Sequence, residues 1–185
     1  MINNSTIERS KEERRIAALQ KYDILDTPPD GSFADLTTLA AKIFNVPIAI
    51  VSLVDENRIW FKANYGLDID QIDRHPGLCS SAIMSDEIYL VEDARSDPRC
   101  LTNPLVAGDF GLQFYAAAPL QTPEGNIGTF CILDKRPRYI NSDQQEMLKH
   151  LARIVTKEIE VRLQVRAFVR EHTAKLKALI QNTGR

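Results

Sequence analysis

The sequence predicts an α+β fold, with a central antiparallel sheet and helices from both ends of the chain packed beside it. Three observations lead there. Apolar residues recur at three and four near both ends of the chain. β-branched runs separated by short turns fill the middle. The stretch from about 141 to 182 contains no residue that would break a helix.

The elements follow in order. Residues 7–21 read as a helix with a modest apolar stripe of Ile7, Ile16, Ala18 and Leu19. Pro28–Pro29 and Asp30–Gly31 interrupt the chain. A second helix is expected from Ser32 to Phe44, with Phe33, Leu36, Leu39, Ala40 and Ile43 toward the core. The period then changes. Residues 47–55 and 58–65 read as strands, and the short Asp55–Asn57 turn makes them an antiparallel hairpin. Residues 66–77 read as a polar connection with a little local helix, and 78–84 as a short helix. A third strand lies within 87–94. The turn pairs Asp97–Pro98, Asn103–Pro104 and Gly108–Asp109 discourage regular structure over 95–111. Strands at 112–122 and 127–134 flank a turn at 124–126, giving five strands in all.

Ser142 is the expected cap of the last helix, with Glu146 one position too far on for a capping box. Met147, Leu148, Leu151, Ile154, Val155, Ile159 and Leu163 would cover the sheet. Val165, Phe168, Val169, Leu176, Leu179 and Ile180 continue beyond it. A helix of this length reaches about 60 Å, roughly twice the width of a small domain, so its distal part cannot pack on its own sheet. A strict heptad fails, because the positions continuing from Val155 and Ile159 fall on Arg162 and Arg166. The chain thus divides into a flexible tail over 1–11, a domain over 12–163 and a helical extension over 164–185.

Composition bounds the function. The 185 residues are 44% hydrophobic, enough for a sizeable core, and 23 Lys and Arg against 25 Asp and Glu leave no basic excess for nucleic acid. No apolar run approaches the roughly 18–20 residues that span a membrane, and the N-terminus lacks an apolar signal core, so the cytoplasm is expected. Cys79, Cys100 and Cys131 form neither a metal cluster nor a disulfide framework, and Cys131 reads as strand core. His75, His150 and His172 are scattered. No phosphate loop or dinucleotide fingerprint appears.

The segments LDTPPDGSFADLTTLAAKIFNVPIAIVSLVDENRIWFKANYGL, PGLCSSAI, VEDARSDPRCLTNPLV and LQFYAAAPLQTPEGNIGTFCILDKRPR together resemble the GAF domain family. The likeness is to the bacterial and cyanobacterial sensor type found upstream of histidine kinases or cyclic-dinucleotide enzymes, and it covers about 12–163. It implies a profilin-like sheet of five or six antiparallel strands. Terminal helices would pack on one face, often as a dimer bundle, and a loop-covered small-molecule pocket on the other. Carried onto this chain, the pocket would be lined by Ser52, Trp60, Phe61, Cys79, Asp93, Asp97, Asn103, Tyr115 and Ala117.

The departures from that pattern restrict the ligand. The Asn-Lys-x-Asp signature of cyclic-nucleotide binders is missing, since Asn57 and Lys62 are not so spaced. Bilin binders pair a cysteine with an adjacent histidine, whereas His75 lies four residues before Cys79. Free-methionine sulfoxide reductases of the same fold are resembled loosely by GLCSSA at 77–82, but Cys100 is not at the family's next cysteine position. The expected function is therefore a non-catalytic sensory or regulatory module, binding a small molecule of unspecified identity or a protein partner. It would signal through a homodimer of terminal helices to a histidine kinase or cyclic-dinucleotide enzyme, linked or separate. A ligand-free dimerisation scaffold is the alternative, and a reductase a more distant one.

Overall fold

A computed structural model describes residues 4–183, with side chains over 8–177. Helix α1 (Asn4–Tyr22) and helix α2 (Gly31–Ile43) precede the hairpin of β1 (Ile48–Val54) and β2 (Arg58–Tyr65). The short elements β3 (Gln71–Asp73), α3 (Leu78–Ala82), β4 (Tyr89–Val91) and α4 (Pro104–Ala107) form the middle. The hairpin of β5 (Phe114–Thr122) and β6 (Gly125–Asp134) then leads to α5 (Ser142–Thr183). Six strands lie in the order β3-β2-β1-β6-β5-β4, and every neighbouring pair is antiparallel.

Both faces of this sheet are covered, which explains why all seven residues of β1 are buried. On one face Ala49, Val51, Leu53, Phe114, Ala116, Phe130 and Ile132 pack against Leu19, Phe33, Leu148, Leu151, Val155 and Ile159 of the helices. On the other, Ile50, Phe61, Tyr115, Ala117, Cys131 and Leu133 pack beneath α3 and the middle loops. The alternation of strand side chains divides the residues between the two layers. β1 and β6 approach so closely that a Cβ on Gly128 would stand 2.0 Å from the Ser52 carbonyl oxygen.

Several expectations are corrected by the packing. The first helix, expected over 7–21, begins earlier and spans Asn4–Tyr22. β3 is a sixth strand where a polar connection was expected; it pairs Ile72 with Ile59 and turns only that one apolar residue inward. Asn103–Pro104 starts α4 rather than breaking the chain, because proline suits the first turn and the Asn103 side chain accepts from the Leu105 amide. α3 ends at Ala82, and Met84 beyond it is exposed. On α2 the buried stripe is Phe33, Thr37, Ala40 and Ala41, leaving Leu39 and Ile43 in solvent. On α5, Met147 and Ile154 are likewise exposed, and Ala152 takes the place beside Leu151. The cap of α5 is Asn141, not Ser142. The Gln144 amide donates to the Asn141 side chain at 2.9 Å, and the Asn141 amide donates to the Gln144 side chain at 3.0 Å. This is a reciprocal capping box one residue earlier than expected. The side chains of Ile7, Leu179 and Ile180, and residues 184–185 of the expected helix stop, lie outside the described residues.

Candidate functional site

The loop-covered face carries a small polar centre inside an apolar layer. Antiparallel registry sets Ser52 opposite Thr129 and Cys131 opposite both Ile50 and Ala117. Alternation then brings Ser52, Phe61, Tyr115, Ala117, Thr129 and Cys131 to one face, and α3 lowers Cys79 onto them. The Tyr115 hydroxyl donates to the Cys79 sulfur at 3.2 Å, and the Ser52 and Thr129 hydroxyls share a bond of 2.8 Å.

These donors decide the charge of Cys79. The neighbouring Cys131 thiol favours its thiolate most, and the Tyr115, Ser52 and Thr129 hydroxyls add to the effect. Together they overcome the opposing effect of burial and hold the Cys79 thiol below its usual range. Burial pushes the Cys131 thiol and the Tyr115 phenol up, so both keep their protons. Cys100 is pushed up by burial and by Asp97.

Beside this centre lies a cavity of about 60 Å³, bounded by Phe61, Cys79, Tyr115 and Cys131 below and by Leu105 and Phe110 above. Small-molecule pockets commonly enclose about 300–1,000 Å³, so side chains already occupy most of this one. Two larger concavities are surface grooves. One of about 430 Å³ runs along Trp60, Lys62, Asn64, Asp26 and Asp30. Another of about 960 Å³ lies between α1 and the β5–β6 turn.

Of the nine residues expected to line the pocket, Phe61, Cys79 and Tyr115 bound the cavity, and Ser52 and Ala117 lie on the same face. Trp60 does not. Adjacent strand residues face opposite ways, and Trp60 packs in the helix-side core while Phe61 packs under the loops. The Lys62 ammonium lies 5.8 Å from the Trp60 ring and 5.5 Å from Phe33, held by the Thr27 hydroxyl and the Pro28 carbonyl. Asp93 and Asp97 shape turns. Each accepts from an arginine amide two residues on, and the Arg99 hydrogen bond holds Asp97 below the usual carboxylate range. Asn103 is buried, but its polar atoms are engaged by the Pro76 carbonyl and the Leu105 amide.

Residues that sequence reasoning did not select complete the arrangement. Thr129 and Cys131 belong to the polar centre and were legible only through strand registry. Arg99 stacks at 4.7 Å on Tyr89, whose ring meets Tyr115 edge-on at 6.1 Å, so the 95–103 loop is joined to the centre through aromatic contacts. His75 and His150 are exposed and His172 stacks on Phe168. Among the described residues no group of three or more His, Cys, Asp or Glu is placed to hold a metal ion. None of the described helices is long and apolar enough to cross a membrane.

A family model described as GAF domain matches residues 28–159. A cyclic di-GMP phosphodiesterase of Pseudomonas aeruginosa is 39% identical over 150 residues, covering 80% of this chain. The chain spans about a quarter of that relative's length (26%). Among solved structures, a domain of a two-component sensor histidine kinase protein from Sinorhizobium meliloti superposes with a TM-score of 0.58 at 22% identity, covering 75% of this chain and 95% of its own. The free methionine-R-sulfoxide reductase of Neisseria meningitidis superposes with a TM-score of 0.61 at 17% identity, covering 84% and 93%. At such identities these two likenesses speak for the fold alone.

Proposed function

The chain belongs to the GAF domain family, and from that premise we propose that it is a non-catalytic regulatory module whose output element is α5. The observation that carries this reading is the division of that helix. Its first half buries Leu148, Leu151, Val155 and Ile159 on the sheet. Beyond Ile159 it leaves Val161, Val165, Phe168, Val169 and Leu176 at least half exposed. An apolar stripe left in solvent suits a second copy of the chain, and Leu39 and Ile43 of α2 are also exposed. The relative of 39% identity favours a cyclic-dinucleotide enzyme as the controlled effector over a histidine kinase. Such work belongs in the cytoplasm.

The small cavity favours a second reading beside it, a dimerising module whose pocket is filled by its own side chains. In the sensory reading, a ligand of ordinary size enters only when the segments carrying Leu67, Ile69, Leu105 and Phe110 move aside, and it shifts the output only if it binds the two states unequally. Light scattering at micromolar concentration tests the pairing. A dimer that Val169→Asp or Leu176→Asp converts to monomer is the expected result, and a monomeric wild type overturns it. Native mass spectrometry separates the two readings, since an adduct lost on denaturation belongs to a sensor and its absence to a scaffold.

A further inference from the structure

Cys79 and Cys131 are the two cysteines that border the cavity, and Tyr115, which borders it with them, donates its hydroxyl to the Cys79 sulfur at 3.2 Å. Cys100, equally buried, sits beside Asp97 and does not border it. The cavity's volume of about 60 Å³ leaves room for only a few water molecules. Hydrogen peroxide fits there, and a methionine sulfoxide or a bulky organic hydroperoxide does not.

We propose that the Cys79–Cys131 pair is a peroxide-reactive site that takes hydrogen peroxide in the adjoining cavity and closes to a disulfide. The assignment goes beyond the regulatory reading and stands without it. Cys79 is the attacking sulfur because the donors around it, Tyr115 among them, stabilise its thiolate. Its sulfur displaces on one peroxide oxygen, the O–O bond breaks, and the departing hydroxide takes a proton to leave as water. Cys79 is then a sulfenic acid. The Cys131 sulfur attacks the Cys79 sulfur, the S–O bond breaks, and the hydroxide leaves as water with the Cys131 proton. Two thiols lose two protons and two electrons, and one peroxide takes them up to become two waters.

The site's surroundings give the reaction a structural output. α3 carries Cys79, and β6 at the centre of the sheet carries Cys131. Bond formation draws α3 onto the sheet and closes the cavity between them.

The test treats the full chain with hydrogen peroxide and maps its peptides without reduction. The expected result is a Cys79–Cys131 linked peptide, a mass lower by two hydrogen atoms, and a Cys100 thiol that alkylates normally once the protein is unfolded. Cys131→Ser is expected to stop at a sulfenic acid on residue 79, trapped by dimedone. Tyr115→Phe is expected to slow the reaction about three- to tenfold by removing one donor. Cumene hydroperoxide, too large for the cavity, is expected to react more slowly than hydrogen peroxide with the folded chain and not with the urea-unfolded chain. Oxidation of Cys100 first, or of Cys79 no faster than in urea, overturns the proposal. Both are read on the wild type, so a variant that fails to fold does not blunt the test.

Discussion

Arg162 of α5 grips Asp30, the cap of α2, with both terminal nitrogens of its guanidinium, one of them at 2.8 Å. The contact joins residues 132 positions apart. It continues along the helix, where Arg166 donates to the Tyr22 and Asp23 carbonyls at 2.7 and 2.6 Å and Arg170 to the Asp23 carboxylate at 2.9 Å. The arginines that interrupt the heptad thus hold the α1–α2 connection.

A double-mutant cycle of Arg162→Ala with Asp30→Asn is expected to give a coupling of about 1–2 kcal/mol, because both side chains are mostly buried and the bond is bidentate. Asparagine keeps the cap to the Ser32 amide, which confines the change to the pair. Urea denaturation of the four proteins measures it, and strict additivity would leave the contact without energetic weight.

Acid should weaken the anchoring of α1. The Arg15 hydrogen bond, helped by Arg74 and opposed by burial, lowers the Glu12 carboxyl from 4.5 to about 2. A folded value below the unfolded one means that the stabilisation is full above about pH 4.5 and is lost as pH falls toward 2. Glu12 is partly in solvent, so the effect is discounted to about 1 kcal/mol. Glu12→Gln should flatten this part of the pH–stability curve, and an unchanged slope in the variant would contradict the assignment.

Gly128→Ala is expected to cost about 3 kcal/mol or more, because the new methyl meets backbone rather than a side chain that can turn away. A thermal melt suffices as the measurement. A melting temperature within a degree or two of wild type would mean that β1 and β6 separate easily.

Replacing Asn141 with Ala removes the side-chain oxygen that accepts from the Gln144 amide, while the backbone amide of residue 141 can still donate to the Gln144 side chain. The change is expected to destabilise the protein by about 1 kcal/mol, while Ser142→Ala leaves it nearly unchanged. Equal losses from the two variants would restore Ser142 as the cap.

The hairpins were legible because runs rich in β-branched and other apolar residues flank short turns in β1–β2 and β5–β6. β3 was not, since three residues with one inward Ile72 carry no readable period. The site was half legible. Tyr115 and Ala117 stand out in sequence, but their partners Thr129 and Cys131 follow only from register, and register follows from the turn. The turn was expected at 124–126, whereas Thr122 pairs with Gly125 around Pro123–Glu124. Trp60 and Phe61 could not both reach one face, and strict alternation alone would have separated them. It would not have predicted the irregularity that pairs Val51 with Ala63 but Ser52 with Phe61, leaving Lys62 as the extra residue.

Arg162, Arg166 and Arg170 recur every four residues along α5, and their acceptors are ranked along the single segment from Tyr22 to Asp30. The helix and that segment therefore mesh like a rack and its teeth. Because Arg166 and Arg170 share Asp23 while Arg162 holds Asp30, a slide of α5 by one residue spacing of this series, about 6 Å along its axis, would break the three grips together.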